Sequence, residues 1–233
     1  MEEKALEYLE RNSLFHTGMI FVIKRRSADI IHADEDGVFM KDISSGAYML
    51  SFGNLDKAID LLDSIGRQDL FCVYQKELSD YLQIKHNYKK RAENFQTAYT
   101  KQKPVEISAA ELEIKPLTLE HLNIIYEHYS YYVSYDYLKR RLECSAIYGG
   151  FAEGELCGFV GTHEEGAIGI LKVLEKFRRR GFAEALEGYM INTVLDRGEV
   201  PFVQVDPDNE SSIKLQRKLG LEISKEMLYW LFD

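Results

Sequence analysis

The sequence predicts an α+β fold: a mixed, mostly antiparallel sheet flanked by helices, preceded by a smaller α+β domain. Three observations predict it. In the second half, short apolar runs are separated by Glu153-Gly154 and by Glu164-Glu165-Gly166, both hairpin signals. The last of these runs passes through a basic turn containing one glycine into an amphipathic helical pattern. In the first half, short strand-like runs and helical stretches end in a polar, basic segment just before Pro104.

With 233 residues, 45% of them hydrophobic, the chain is long enough to bury one large or two small cores. The division expected is residues 1–100, a linker at 101–111 and a second domain at 112–233. A formal net charge of −9 argues against a general nucleic-acid or anionic-membrane binder, which needs a basic face. The start, MEEKALEYLE, is acidic and helical in pattern, unlike a secretory signal. No apolar run approaches the roughly 20 residues that span a bilayer. These features lead us to expect a soluble, cytoplasmic protein with neither nucleic acid nor membrane as partner. Cys72, Cys144 and Cys157 are far apart and form no C-x-x-C pattern. They are read as buried small apolar residues, and no metal-ligand spacing is visible.

In chain order, residues 1–12 read as a helix with Ala5, Leu6 and Leu9 inward. Met19–Ile23, Ala28–Ala33, Val38–Ile43 and Ala47–Phe52 read as strands in antiparallel hairpins. Asn54 caps a helix carrying Leu55, Ala58, Ile59 and Leu62 that ends near Gly66. Leu70–Val73 is a short strand, and another helix starts from Gln75. Residues 81–103 interleave Lys and Arg with Tyr88, Phe95 and Tyr99. Such a run fits a solvated helix and linker better than an RNA-binding face.

The second domain opens with a strand at Glu113–Leu117 and a helix starting at Thr118-Leu119-Glu120. Tyr126, Tyr129, Tyr131, Tyr132, Tyr135 and Tyr137 follow with His121 and His128 beside them. Tyrosine suits a small-molecule pocket wall, although most of the six are expected simply to pack a helix pair on the sheet. Strands at Ser145–Ala152, Leu156–His163 and 167–173 form a meander. A helix beginning near Gly181 then places Phe182, Leu186, Tyr189 or Met190, and Val194 on one stripe and stops at Arg197-Gly198. Val200–Val205 is a strand, Ser211–Leu219 a helix and Met227–Phe232 a closing strand.

The chemistry concentrates in Arg178-Arg179-Arg180-Gly181-Phe182-Ala183. Amide groups in a first helical turn have no intrahelical partner, and the positive end of the helix dipole favours an anion there. Gly181 removes the Cβ that would hold a phosphate off the backbone, and Ala183 is nearly as small. Three arginines add charge, each charge-assisted bond being worth roughly 1.5–3 kcal/mol. A basic, solvated helix start is the plainer alternative. The chain has neither G-x-x-x-x-G-K-[ST] nor G-x-G-x-x-G, so this is not a Walker loop or a dinucleotide fingerprint.

With its preceding strand, the segment Val173-Leu174-Glu175-Lys176-Phe177 through Ala183 resembles the strand and [RQ]-x-x-G-x-[GA] turn of the GNAT superfamily of acyl-CoA-dependent N-acyltransferases. The resemblance continues in Pro201–Val205, Asn209-x-x-Ser212 and Lys218-Leu219-Gly220-Leu221, and it covers about 112–233. The style is closest to glycine N-acyltransferase-like members, in which a degenerate GNAT-like half precedes the working one, as residues 1–100 would here. The resemblance implies acetyl-CoA, or another acyl-CoA, as co-substrate without a metal, and a small-molecule amine or amino acid as acceptor. A homodimer is compatible with it.

It further implies that the backbone of Leu171 and Val173, at a bulge, pairs with the pantetheine arm. Arg178, Arg179, Arg180, Gly181, Phe182 and Ala183 would hold the pyrophosphate, and Asn209 and Ser212 would reach toward the sulfur. The candidate general base is Glu165, with Glu164 and His163 beside it; exposed residues of a tight turn are the alternative reading. Two departures stand out. Gln216 occupies the place of a tyrosine that protonates the leaving thiolate, and Glu175 that of a proline. The first keeps open a second class of function, a non-catalytic acyl-CoA sensor.

Overall fold

The structure, a computed structural model, describes residues 1–107, 111–129 and 133–233. In chain order its elements are α1 (Glu2–Leu9), α2 (Thr17–Lys24), β1 (Ala28–Ala33), β2 (Gly37–Asp42), β3 (Tyr48–Phe52), α3 (Leu55–Ile65), β4 (Phe71–Val73), α4 (Lys76–His86) and β5 (Lys90–Ala98). There follow β6 (Glu113–Pro116), α5 (Leu122–Tyr129), α6 (Tyr135–Glu143), β7 (Ile147–Ala152), β8 (Glu155–Thr162) and β9 (Ile168–Val173). Helix α7 (Phe182–Leu195), β10 (Phe202–Val205), α8 (Glu210–Leu219) and β11 (Glu222–Phe232) complete the set. The architecture is the expected mixed α+β one, with mostly antiparallel strands.

Two compact units divide these elements, and sequence order alone does not define them. The first holds residues 1–98, 204–213 and 222–233; the second holds 99–203 and 214–221. In the first, the strand order is β1-β2-β3-β4-β11-β5, with β3 and β4 parallel. One face carries α1 and α2, where Leu9, Met19 and Val22 pack on Met40, Met49 and Leu228. The opposite face carries α3 and α4, where Leu62 and Leu78 meet Phe39, Leu50 and Leu231. Successive strand residues point to opposite faces, so one sheet supports both layers. Asn54 caps α3 as expected, its Oδ1 accepting from the Lys57 N–H at 3.3 Å.

Two expectations for this unit are corrected. Met19–Ile23 is not a strand but the body of α2, six of whose eight residues are buried. A short, unbroken apolar run carries no period to separate a buried helix from a buried strand, and here packing against α1 and the sheet decides. Residues 90–98 are not helix or linker but strand β5, paired with β11 from Lys90↔Phe232 to Ala98↔Glu222. That partner lies some 130 positions away, and the polar alternation of Arg91, Glu93 and Gln96 concealed the strand. Its basic residues are engaged locally: Arg91 pairs with Asp80 at 2.5 Å and with Glu93 at 2.6 Å.

The second unit orders its strands β10-β9-β8-β7-β6; β9 and β10 run parallel and the rest antiparallel. Helices α5 and α6 cover one face through Leu122, Ile125, Leu138 and Leu142 on Ile147, Phe159 and Ile170. Helix α7 packs along β8 and β9, with Phe182, Leu186, Met190 and Val194 buried, so that of the two alternatives in the stripe Met190 and not Tyr189 takes the inward place. Of the cysteines, Cys72 and Cys157 are buried, but Cys144 is exposed at the end of α6, contrary to expectation. A residue just past the last helical turn has no second layer to cover it. Tyr131 and Tyr132 lie outside the described residues.

Candidate active site

Strand β9 and the turn after it form the frame. Along β8 and β9, Thr162 pairs with Ile168 and Gly161 with Gly169, then Phe159 with Lys172 and Gly158 with Val173. Two steps on β8 therefore oppose three on β9, which carries one extra residue, a β-bulge. The backbone agrees: Ile170 has φ 50°, a conformation costing a β-branched residue roughly 1–3 kcal/mol. Burial against the α5–α6 layer holds it, and its N–H donates to the Tyr129 hydroxyl at 3.1 Å. Strand β10 meets β9 at Val203 opposite Ile168, ahead of the bulge; Leu171 and Val173 come after it.

Past Val173 the chain turns sharply. The Leu174 N–H donates to the Cys157 carbonyl at 2.9 Å, and Glu175–Phe177 forms one 3-10 turn closed by Phe177 N–H on Leu174 O at 2.9 Å. Glu175, in place of a proline, does not prevent that closure. Phe177 and Phe182, their rings 6.4 Å apart, sit in one cluster with Cys157 and anchor both ends of the basic segment. Between them Arg179 has φ 63° and Gly181 φ 80°. A Cβ on Gly181 would meet nothing within 4 Å, so the space beside this backbone is open. Helix α7 starts there without a side-chain cap, leaving first-turn amides without intrahelical partners.

The three arginines are not equivalent. Arg178 Nε donates to the Val173 carbonyl at 3.4 Å. Arg180 lies over the Phe182 ring at 4.8 Å and pairs with Glu111 at 3.0 Å, so it reaches the turn already partnered. Glu184, in the first turn of α7, is balanced by Lys218 at 2.6 Å.

At the other end of β9, the tight turn is closed by His163 N–H on Ala167 O at 2.8 Å and Gly166 N–H on His163 O at 3.0 Å. Glu165 in this turn is 9% exposed, which removes the solvated-turn alternative for it. Glu164 pairs with Arg140 at 3.3 Å. The Tyr137 hydroxyl is 2.7 Å from His163 Nδ1. Burial, then the Glu165 charge, push the Tyr137 phenol well above its ordinary value. Burial, then Arg141, lower His163 to about 4, so its ring is uncharged at neutral pH. A Cβ on Gly169 would lie 2.6 Å from His163 Nε2; only glycine lets that ring rest on β9. The pairing of Tyr137 with His163 was not legible beforehand, because 26 positions separate them.

Asn209 and Ser212 belong to the first unit. Asn209 Oδ1 accepts from the Ser212 N–H at 3.1 Å and the Ser211 hydroxyl at 2.8 Å, so it caps α8. Gln216 lies in the second unit and is fully buried with Glu187 of α7. Burial raises the Glu187 carboxyl to about 7, and Gln216 opposes this by favouring the charged form.

Comparison with known proteins bears on this geometry. Residues 146–231, from β7 to β11, match the family model described as FR47-like protein. No curated protein sequence matches the chain. Among solved structures, a Drosophila protein is similar at TM-score 0.69 and 14% identity, over 100% of this chain and 95% of its own. A GCN5-related N-acetyltransferase-like protein from Streptococcus suis is similar at TM-score 0.55 and 16% identity, over 98% and 100%. The fold is that of the GCN5-related N-acetyltransferases. A tandem GNAT protein from the clavulanic acid biosynthesis pathway shares it at TM-score 0.50 and 12% identity, over 99% of this chain and 94% of its own. These likenesses bear out the fold that the resemblance of 173–183, 201–205, 209–212 and 218–221 implied. Among the described residues no helix is long and apolar enough to cross a membrane, and no cluster of His, Cys, Asp or Glu could hold a metal ion.

Proposed function

We propose that the protein is an N-acetyltransferase that moves an acetyl or other short acyl group from CoA to a primary amine of a small molecule or amino acid, in the cytoplasm. The observation that carries this reading is the continuity of the β9 bulge, the open left-handed turn at Arg179–Gly181 and the uncapped start of α7. In this reading the Leu171 and Val173 backbone binds the pantetheine arm. Arg178, Arg179 and the Gly181–Ala183 amides take the pyrophosphate, Arg180 flanks it, and Asn209 and Ser212 serve the sulfur side.

Bound acyl-CoA supplies an activated thioester. The chain's own residues orient the reactants, which can be worth roughly 7–11 kcal/mol. They also accept the amine's proton, a role this reading gives to Glu165 in its enclosed turn; a general base adds about 10²- to 10⁴-fold. Gln216 is no acid, so water or another group returns a proton to the departing thiolate. In this reading residues 1–100 are a degenerate GNAT-like half in the glycine N-acyltransferase style, linked by 101–111 to a working half at 112–233 that lends β11 to the first sheet. The similarity to a tandem GNAT protein over nearly the whole chain supports that division. A homodimer belongs to the same reading and is checked by light scattering.

The test supplies acetyl-CoA with a panel of amines and monitors free thiol. Acceptor-dependent thiol release is expected. Release with no acceptor on the panel, or none at all, would reject the acyltransferase; tight CoA binding without turnover would leave a sensor.

A further inference from the structure

Resting on that reading, the site holds a hydrogen-bond donor that none of its roles includes. The turn for the pyrophosphate follows Val173, so an extended arm paired with Val173 and then Leu171 runs back toward the start of β9. At about 3.3 Å per strand residue, its far end arrives level with Gly169. The ring of His163 lies there, its Nε2 2.6 Å from where a Gly169 Cβ would be.

The hydrogen-bond arrangement sets which nitrogen carries the proton. Tyr137 keeps its phenol proton, and the backbone of Glu164 also bonds to that oxygen. The hydroxyl proton is therefore directed to His163 Nδ1, 2.7 Å away. In a neutral imidazole whose Nδ1 accepts, Nε2 carries the hydrogen. The charged groups around the pair are Glu164 and Glu165 in the turn, with Arg140 and Arg141 on α6. Arg141 is itself committed to the Thr162 carbonyl at 2.8 Å and hydroxyl at 3.1 Å. The bulge amide cannot serve equally, because Ile170 N–H is given to Tyr129.

We propose that His163 Nε2–H is a hydrogen-bond donor to the acyl carbonyl oxygen of the bound thioester, and that Tyr137 is the positioning residue that holds the imidazole in this tautomer. A preorganised donor aimed at developing negative charge stabilises it without reorganisation. His163 is thus a donor and not the base, a role that remains with Glu165.

The test needs no acceptor amine. Acetyl-CoA labelled with carbon-13 at the thioester carbonyl is bound to the protein and its carbonyl band recorded by isotope-edited infrared difference spectroscopy. Wild type is expected to shift the band to lower wavenumber. His163→Leu is expected to return it toward the free position while changing acetyl-CoA affinity less than about threefold, which also shows that the variant is folded. His163→Gln, whose amide can donate, should restore part of the shift, and Tyr137→Phe should broaden the band as both tautomers become populated.

In turnover, His163→Leu should lower kcat by about a hundredfold and leave the acid limb of the pH profile in place. A band indifferent to His163, or an acid limb that vanishes with it, overturns the inference while acyl transfer stands. If wild type binds no acetyl-CoA, the acyltransferase reading itself fails and the inference with it.

Discussion

Glu187 of α7 and Gln216 of α8 share one enclosed site in the second unit, and neither reaches solvent: they are 2% and 0% exposed. One carboxylate oxygen and both polar atoms of the amide have no hydrogen-bond partner. Gln216 lies close enough to the carboxyl to favour its charged form as a hydrogen-bond donor, but the contact falls short of good hydrogen-bond geometry. Buried groups left in this state usually cost about 1–3 kcal/mol each, so the pair is a source of instability inside a well-packed helix layer.

The pH dependence follows from the direction of the shift. Glu187 is raised to about 7 in the folded protein from 4.5. Between those values the folded state holds a proton that the unfolded state has lost, so stability falls as pH rises from about 4.5 to 7 and then levels. Glu187→Gln removes this dependence. Relative to wild type it should gain up to about 3 kcal/mol between pH 4.5 and pH 8, read from denaturant midpoints at the two pH values. Parallel curves for the two proteins would contradict it.

Tyr129→Phe should loosen the bulge. It removes the acceptor for the Ile170 N–H and leaves that amide buried without its partner, at a cost of about 1–3 kcal/mol. Amide hydrogen exchange at Ile170 should accelerate more than at Phe159 on the neighbouring strand. Equal protection at both positions in the variant would refute the dependence.

Gly181→Asp is a charge test with little backbone penalty, since aspartate tolerates the left-handed region better than most residues. Its carboxylate would project into the open space beside the α7 start. Acetyl-CoA affinity should fall at least about tenfold, or 1.4 kcal/mol, with the thermal midpoint nearly unchanged. Calorimetry showing undiminished binding would remove this turn from the site.

Asn209→Ala deletes the cap of α8, and a cost of about 0.5–2 kcal/mol is expected. Asn209→Asp keeps the acceptor and should restore most of it. Should both variants lose acetyl-CoA binding alike while stability recovers in the aspartate, the side chain would have a role beyond the cap.

The run from β9 to α7 was legible because each of its parts is local. An apolar strand, a glycine needing positive φ and a helical stripe each leave a mark within a few residues. The same holds for Asn54 and Asn209 as caps. What escaped depends on distant partners. Strand β5 has no apolar alternation of its own and is defined by β11; α2 is too short and too uniformly apolar to show a period. Tyr137 was one tyrosine among six until α6 brought it to His163. Glu187, beside Leu186 in an amphipathic pattern, gave no sign of burial until α8 closed over it.

Strand β11 lies between β4 and β5 and is hydrogen-bonded to both. It is also made after every other strand. A ribosome that has just released residues 1–98 must add more than a hundred others before this one emerges, which at cellular rates takes on the order of 10 s. Through that interval β4 and β5 expose open edges, each able to pair with another chain. The sheet begun by residues 1–98 is therefore completed only by β11, and cutting the chain after residue 100 would yield an unclosed sheet prone to association rather than a free-standing domain.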